Sequence, residues 1–177
     1  MSTPPVDHAG VPYRIAVLVH LTDGQGRRLL LHRTREPNAG MHSPVGGKLE
    51  VDDGESPHTC AVREVHEETG IVLKENEVHL LGMVSERSYE NTNHWLIFVY
   101  EATRTIDPNE IASMTMDEGE LKWVDEDDIE NIGIPATDRE ILWPQVKAHS
   151  PNGFFVVHIE CGGDTLIPTL HQSHPAS

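Results

Sequence analysis

The stretch Ala61–Ile71, AVREVHEETGI, sets four charges, Arg63, Glu64, Glu67 and Glu68, into six consecutive positions. An α-helix advances about 100° per residue. With Glu64 at zero, Glu68 then falls at about +40° and Glu67 at about −60°. Val65, Thr69 and Val62 fall between about +100° and +160°, the side expected to pack on a sheet. Three carboxylates therefore edge the buried side of the helix, with one arginine in reach. Like charges three or four apart destabilise a helix, and no lysine four residues on offsets them. One reading is a solvated acidic face. The other is a divalent cation, which takes hard oxygen ligands and makes the crowding useful. Arg63 on the flank can hold one carboxylate by paired hydrogen bonds.

Working outward, Ser56 and Pro57 mark the helix start, a side-chain cap followed by proline at the first helical position. Gly70 marks its stop. Upstream, Gly46 and Gly47 permit a close backbone approach that a side chain would block. YRIAVLVHLTD and RRLLLHRT read as strands joined at DGQG, so Tyr13 to Thr34 is expected to form a hairpin. EVHLLGMVSERSY and HWLIFVYEATRT are two further strands joined at ENTN, and LKWV is a short one. DEDDIENI and DREILWPQVKAH read as helices, the second capped by Thr137 or Asp138, and GFFVVHIECGGDTLIPTLH as a closing hairpin. Mixed helices and strands point to an α/β (α+β) domain in layers. One domain over residues 13–171 is expected, with tails at 1–12 and 172–177.

Composition narrows the function. Apolar residues make up 37% and charged residues 24% of the 177, the make-up of a chain that buries a core. No run of 18 apolar residues exists, so no membrane span is expected, and MSTPPVDHAG lacks the basic-then-apolar order of a secretory signal. Cys60 and Cys161 stand far apart in no metal-binding spacing, which fits a reducing cytoplasm. With 29 acids against 13 bases the formal charge is −16. That argues against wrapping a nucleic acid polymer, which needs a basic stripe, and is compatible with a small phosphorylated ligand reached through cations.

Gly46-Gly47, Glu55, Arg63-Glu64, Glu67-Glu68 and Gly70-Ile71 together resemble the box of the Nudix hydrolases. ESPHTCAVREVHEETGI keeps the family's spacing from Glu55 onward. Before it, KLEVDDG puts seven residues between Gly47 and Glu55 where the family has five, a two-residue insertion around Val51 to Asp53. The resemblance implies an α/β/α sandwich with a mixed β-sheet and a Mg²⁺- or Mn²⁺-dependent pyrophosphohydrolase. Water would attack a phosphorus of a nucleoside diphosphate linked to a further group. It further implies that Glu64, Glu67, Glu68 and the Gly46 carbonyl ligate metal, and that Glu64 is a candidate general base. Arg63 with Glu55 would then tie loop to helix. A later acid can assist in related enzymes, and TMDEGELKW offers Asp117, Glu118 and Glu120.

From EGELKWVDEDDIENIGIP to NGFFVVHIECGGDTLIPTL the chain also resembles MutT-type nucleoside triphosphatases, particularly those acting on oxidised purines such as 8-oxo-dGTP. Two departures stand out: near IPATDRE only Asp138 is a plausible base-facing acid, and Ser43, next to His42, replaces an expected asparagine. His42, Ser43, Lys48 and Asp138 are the candidate substrate contacts, while Tyr89 and Trp95 read as packing residues. An ADP-ribose or nucleoside diphosphate sugar pyrophosphatase, or a non-catalytic nucleotide-binding regulator, remain open alternatives. The expected assembly is a monomer or homodimer.

Overall fold

The computed structural model describes residues 10–36 and 38–176. Most of the expected N-terminal tail lies outside them. In chain order the strands are β1 (Tyr13–His20), β2 (Arg28–Arg33), β3 (His42–Pro44), β4 (Val78–Tyr89) and β5 (Asn93–Ala102). They continue with β6 (Thr115–Met116), β7 (Gly119–Val124), β8 (Phe154–Glu160) and β9 (Ile167–His174). Helix α1 spans Pro57–Thr69 and α2 spans Trp143–His149. Five strands form a mixed sheet in the order β1-β5-β4-β8-β9, and four form a smaller sheet, β3-β2-β7-β6.

Alternation along the strands divides the interior in two. Val17 and Val19 of β1 and Tyr100 of β5 pack with Cys60, Ala61 and Val65 of α1. On the other face of the mixed sheet, Val84, Val99, Phe155 and Val157 pack with Trp143 and Val146 of α2. The large sheet is thus sandwiched between the two helices, as the resemblance implies. Strand β2 serves both cores: Leu29 and Leu31 join the first and Leu30 the second.

That double role overturns the expected hairpin over Tyr13–Thr34. β1 runs parallel to β5, whereas β2 pairs antiparallel with β3 and β7 in the other sheet. The chain segments flanking the DGQG turn meet just beside it, where the Leu29 N–H donates to the carbonyl of Leu21, the residue after β1, at 3.0 Å. A hairpin arm with one wet face would not need three consecutive buried leucines. The β4–β5 and β8–β9 hairpins form as read. DEDDIENI is a 3₁₀ segment, Glu126–Asn131, and the last helix opens with a π turn, Asp138–Leu142, without a side-chain cap from Thr137. The last strand continues to His174.

Candidate active site

Helix α1 starts and stops where its sequence dictates. The Ser56 hydroxyl accepts from the Thr59 N–H at 3.1 Å, and Gly70, at φ 78°, closes the helix with its N–H on the His66 carbonyl. Val65 and Thr69 bury as the helical phase requires, while Val62 is only half buried and Cys60 and Ala61 take its place in the core.

Arg63 organises the helix flank. Its Nε and Nη2 donate to the two carboxylate oxygens of Glu55 at 2.8 and 2.9 Å, and Nη2 reaches the Lys48 carbonyl at 3.3 Å. Nη1 donates to Glu64 at 2.8 Å and to Glu67 at 3.1 Å. The inserted residues Val51–Asp53 form an exposed 3₁₀ turn ended by Gly54 in the left-handed region. The insertion bulges outward and leaves the loop-to-helix contact in place.

The two-glycine loop lies against β1. The Val19 and Val17 N–H groups donate to the Val45 and Gly47 carbonyls at 2.7 and 2.8 Å, so the intervening Gly46 carbonyl is left out of that ladder. The Gly46 N–H donates to Glu68 Oε2 at 3.0 Å. A β-carbon on Gly46 would strike the Val17 carbonyl, and one on Gly47 would strike the Glu64 carboxylate. Gly46 is therefore required by close approach to backbone, whereas Gly47 leaves the room that the Glu64 carboxylate occupies.

Electrostatics follow from this packing. Burial pushes the Glu68 carboxyl up to about 8, with the Gly46 N–H opposing and the charges of Glu64 and Glu118 adding. Burial also raises Glu64, opposed by Arg63 and assisted by Glu67 and Glu118. Glu55 goes the other way, held down at about 2 chiefly by its hydrogen bonds to Arg63. Among the described residues no three carboxylates form a preformed metal cluster, because Arg63 holds Glu64 and Glu67 while Gly46 holds Glu68. The donor set nevertheless fits Mg²⁺ or Mn²⁺: two half-sequestered carboxylates that repel each other, beside a backbone carbonyl outside the ladder, all hard oxygens.

These groups open onto a cavity of about 500 Å³. Glu64, Glu68, Gly46, Gly47 and Lys48 line one region of it, and Ser43, Glu118 and Asp138 also face it. Glu67, Glu120 and His42 do not. Glu67 is largely exposed on the arginine flank, and Glu120 lies 3.4 Å from Lys122 Nζ. His42 stacks on His32 at 4.6 Å with its Nδ1 3.1 Å from the Gly133 carbonyl. Tyr89 and Trp95, read from sequence as packing residues, line the cavity, as do Thr137, read only as a helix cap, and Glu86 and Arg33, which no sequence motif marks. Glu86 had a signal: in β4 it shares the inward phase of Val84 and Ser88, an acid where alternation calls for an apolar residue.

A layered α+β domain whose acidic helix and two-glycine loop close one region of a nucleotide-sized cavity defines the class of site. The family profile described as the NUDIX domain matches residues 12–154, and the chain belongs to that family of hydrolases. It is similar to a protein named RNA pyrophosphohydrolase from Dinoroseobacter shibae, 40% identical over 74 residues, which are 42% of this chain and 44% of that one. A second protein of that name, from Novosphingobium aromaticivorans, is 29% identical over 146 residues, covering 72% of this chain and 86% of its own. The match therefore spans less than half of the first relative and most of the second. Among solved structures, a mutator MutT protein from Bacillus halodurans superposes with a TM-score of 0.68 at 25% identity, covering 89% of this chain and 97% of its own.

Proposed function

We propose that the chain is a divalent-metal-dependent pyrophosphohydrolase that cleaves a nucleoside triphosphate to a monophosphate and diphosphate, with an oxidised purine such as 8-oxo-dGTP as candidate base. The observation that carries this reading is the placement of Glu64 and Glu68, with the glycine loop, in a cavity large enough for a nucleoside. Glu64, Glu68 and the Gly46 carbonyl would hold Mg²⁺ or Mn²⁺, with Glu67 joining from the helix flank. When bound, the ion neutralises polyphosphate charge and lowers the pKa of water.

The chain's own residues supply the rest. Arg63 locks the loop to the helix through Glu55, so that Gly46 and the helix carboxylates keep one spacing. Lys48 meets phosphate charge at the cavity wall. Glu64 accepts the proton of the attacking water; a bond forms from that oxygen to phosphorus and the P–O bond of the anhydride breaks, its electrons leaving on the departing phosphate. Glu118 adds a third carboxylate facing the same space.

Glu68→Gln and Glu64→Gln test this reading. Each is expected to lower kcat by about 100-fold or more, and Glu68→Gln to leave the melting temperature unchanged or higher, since burial already disfavours the charged form of that carboxyl. Wild-type turnover in both variants would contradict it. A second reading is supported by the two relatives named RNA pyrophosphohydrolase: removal of diphosphate from a 5′-triphosphorylated RNA end. The charge of −16 argues against it. A competition assay between dGTP and a short triphosphorylated oligoribonucleotide separates the two.

A further inference from the structure

His42 and Glu120, two candidates from the sequence that do not line the catalytic cavity, stand in one row of the smaller sheet. Strand pairing sets His42 of β3 directly opposite His32 of β2, and His32 directly opposite Glu120 of β7. Directly paired residues share a sheet face, with β-carbons about 5 Å apart on neighbouring strands. The row therefore presents two imidazoles and a carboxylate side by side, both rings half buried and Glu120 exposed. The ring centroids of His32 and His42 are 4.6 Å apart, their planes tilted by 31°.

Hydrogen bonding settles which nitrogen of His42 is free. Its backbone N–H and its Nδ1 both meet the Gly133 carbonyl, at 2.6 and 3.1 Å. A carbonyl can only accept, so Nδ1 carries the proton and Nε2 keeps its lone pair. Metal-binding histidines are held in this way, the second ring nitrogen tied to a carbonyl or carboxylate. Burial lowers the His42 pKa, against the Gly133 contact, which keeps that lone pair available at neutral pH. Among the described residues the His32 ring makes no hydrogen bond or ion pair, and its contact is the His42 ring. Glu120 lies 3.4 Å from Lys122 Nζ with both side chains about half exposed, a surface pair of small worth. Two imidazole nitrogens beside a carboxylate oxygen suit a borderline transition ion, whereas Mg²⁺ favours oxygen ligands. Among the described residues no such trio already converges on one point; turning Glu120 away from Lys122 closes this one.

We infer that His32, His42 and Glu120 form a surface site for a divalent transition metal ion such as Zn²⁺, separate from the carboxylates of helix α1. His42 Nε2 and a ring nitrogen of His32 supply two ligands, Glu120 supplies a third, and water fills the remaining positions. The ion then ties β3 to β2 and β7. Strand β3 is three residues long and its Ser43 lines the catalytic cavity, so the ion braces that wall from behind.

Calorimetric titration of Zn²⁺ into the full chain at pH 7, in excess Mg²⁺, tests the site, with a thermal melt beside it. Zn²⁺ is expected to bind and to raise the melting temperature. His42→Gln removes the ring and keeps a donor for the Gly133 carbonyl, and His32→Gln removes the neighbouring ring. Each is expected to weaken Zn²⁺ binding by about tenfold or more and to remove most of the thermal shift. Glu120→Gln is expected to weaken it less, and Glu68→Gln, on helix α1, to leave it unchanged. Nuclear magnetic resonance of the wild type gives a readout that needs no variant, since the ring signals of His32 and His42 are expected to shift as Zn²⁺ is added. No binding of Zn²⁺, wild-type affinity in both histidine variants, a loss in Glu68→Gln, or unshifted His32 and His42 signals would overturn the inference.

Discussion

At the residue scale, the site depends on side chains that are missing as much as on those present. Gly47 leaves the space that the Glu64 carboxylate fills. Gly47→Ala would push that carboxylate aside without touching the core, because the atoms it meets are the far end of a flexible side chain. The expected result is a kcat reduced by about 100-fold, as a misplacement near 1 Å produces, with a melting temperature close to wild type. Steady-state kinetics beside a thermal melt would check it; a variant that loses its fold, or keeps full activity, contradicts the account. The acids of the helix and the paired glycines were legible in sequence because their spacing is local. Glu86 and Trp95 were not, since what brings them to the cavity is strand register between β4 and β5, not spacing along the chain.

At the element scale, α1 and its preceding loop behave as one unit clamped by Arg63 and Glu55. Glu55 is held at about 2 in the folded protein against an ordinary 4.5, chiefly through hydrogen bonds to Arg63. A depressed carboxyl means that the unfolded state binds the proton first as pH falls. The contribution is therefore present above pH 4.5 and is lost as pH drops from there toward 2, by roughly 3 kcal/mol in all. Glu55→Gln removes it: chemical denaturation at pH 7 is expected to show a destabilised variant, and the gap to wild type should narrow steadily below pH 4.5. A gap that stays constant down to pH 3 would show that the pair does not carry this charge-linked stability. Ser56→Ala, removing the helix cap, is expected to cost about 1 kcal/mol at any pH. Helix α1 could be read from end to end because cap, phase and stop agree. The β1–β2 hairpin could not, because a turn sequence shows that the chain reverses without showing whether the two strands stay in one sheet.

At the scale of the whole molecule, the two cores and two sheets meet near the end of β1. His20 lies there, buried, with neither ring nitrogen hydrogen-bonded among the described residues and its ring 6.0 Å from that of Trp143. Burial, and next the charge of Arg28, lowers its pKa from 6.5 to about 3. The unfolded chain thus binds a proton between pH 6.5 and 3 that the folded chain refuses, and stability falls as pH falls through that window. The loss is about 2 kcal/mol by pH 5, and His20→Leu is expected to flatten it; equal slopes in wild type and variant between pH 7 and 5 would refute the assignment. The layered architecture was legible from the mix of elements and the family resemblance, while the junction at His20 depends on packing that no local pattern records. The proposed work of this assembled cavity is hydrolysis of a phosphate anhydride. Its most direct test is chromatographic analysis of products after incubation with Mg²⁺ and, separately, dGTP, 8-oxo-dGTP, ADP-ribose and UDP-glucose. Monophosphate and diphosphate are expected from the triphosphates, and both are expected to be lost on adding EDTA and in Glu68→Gln. Cleavage confined to ADP-ribose or the sugar nucleotide, or no cleavage at all by a folded protein, would contradict the proposed function.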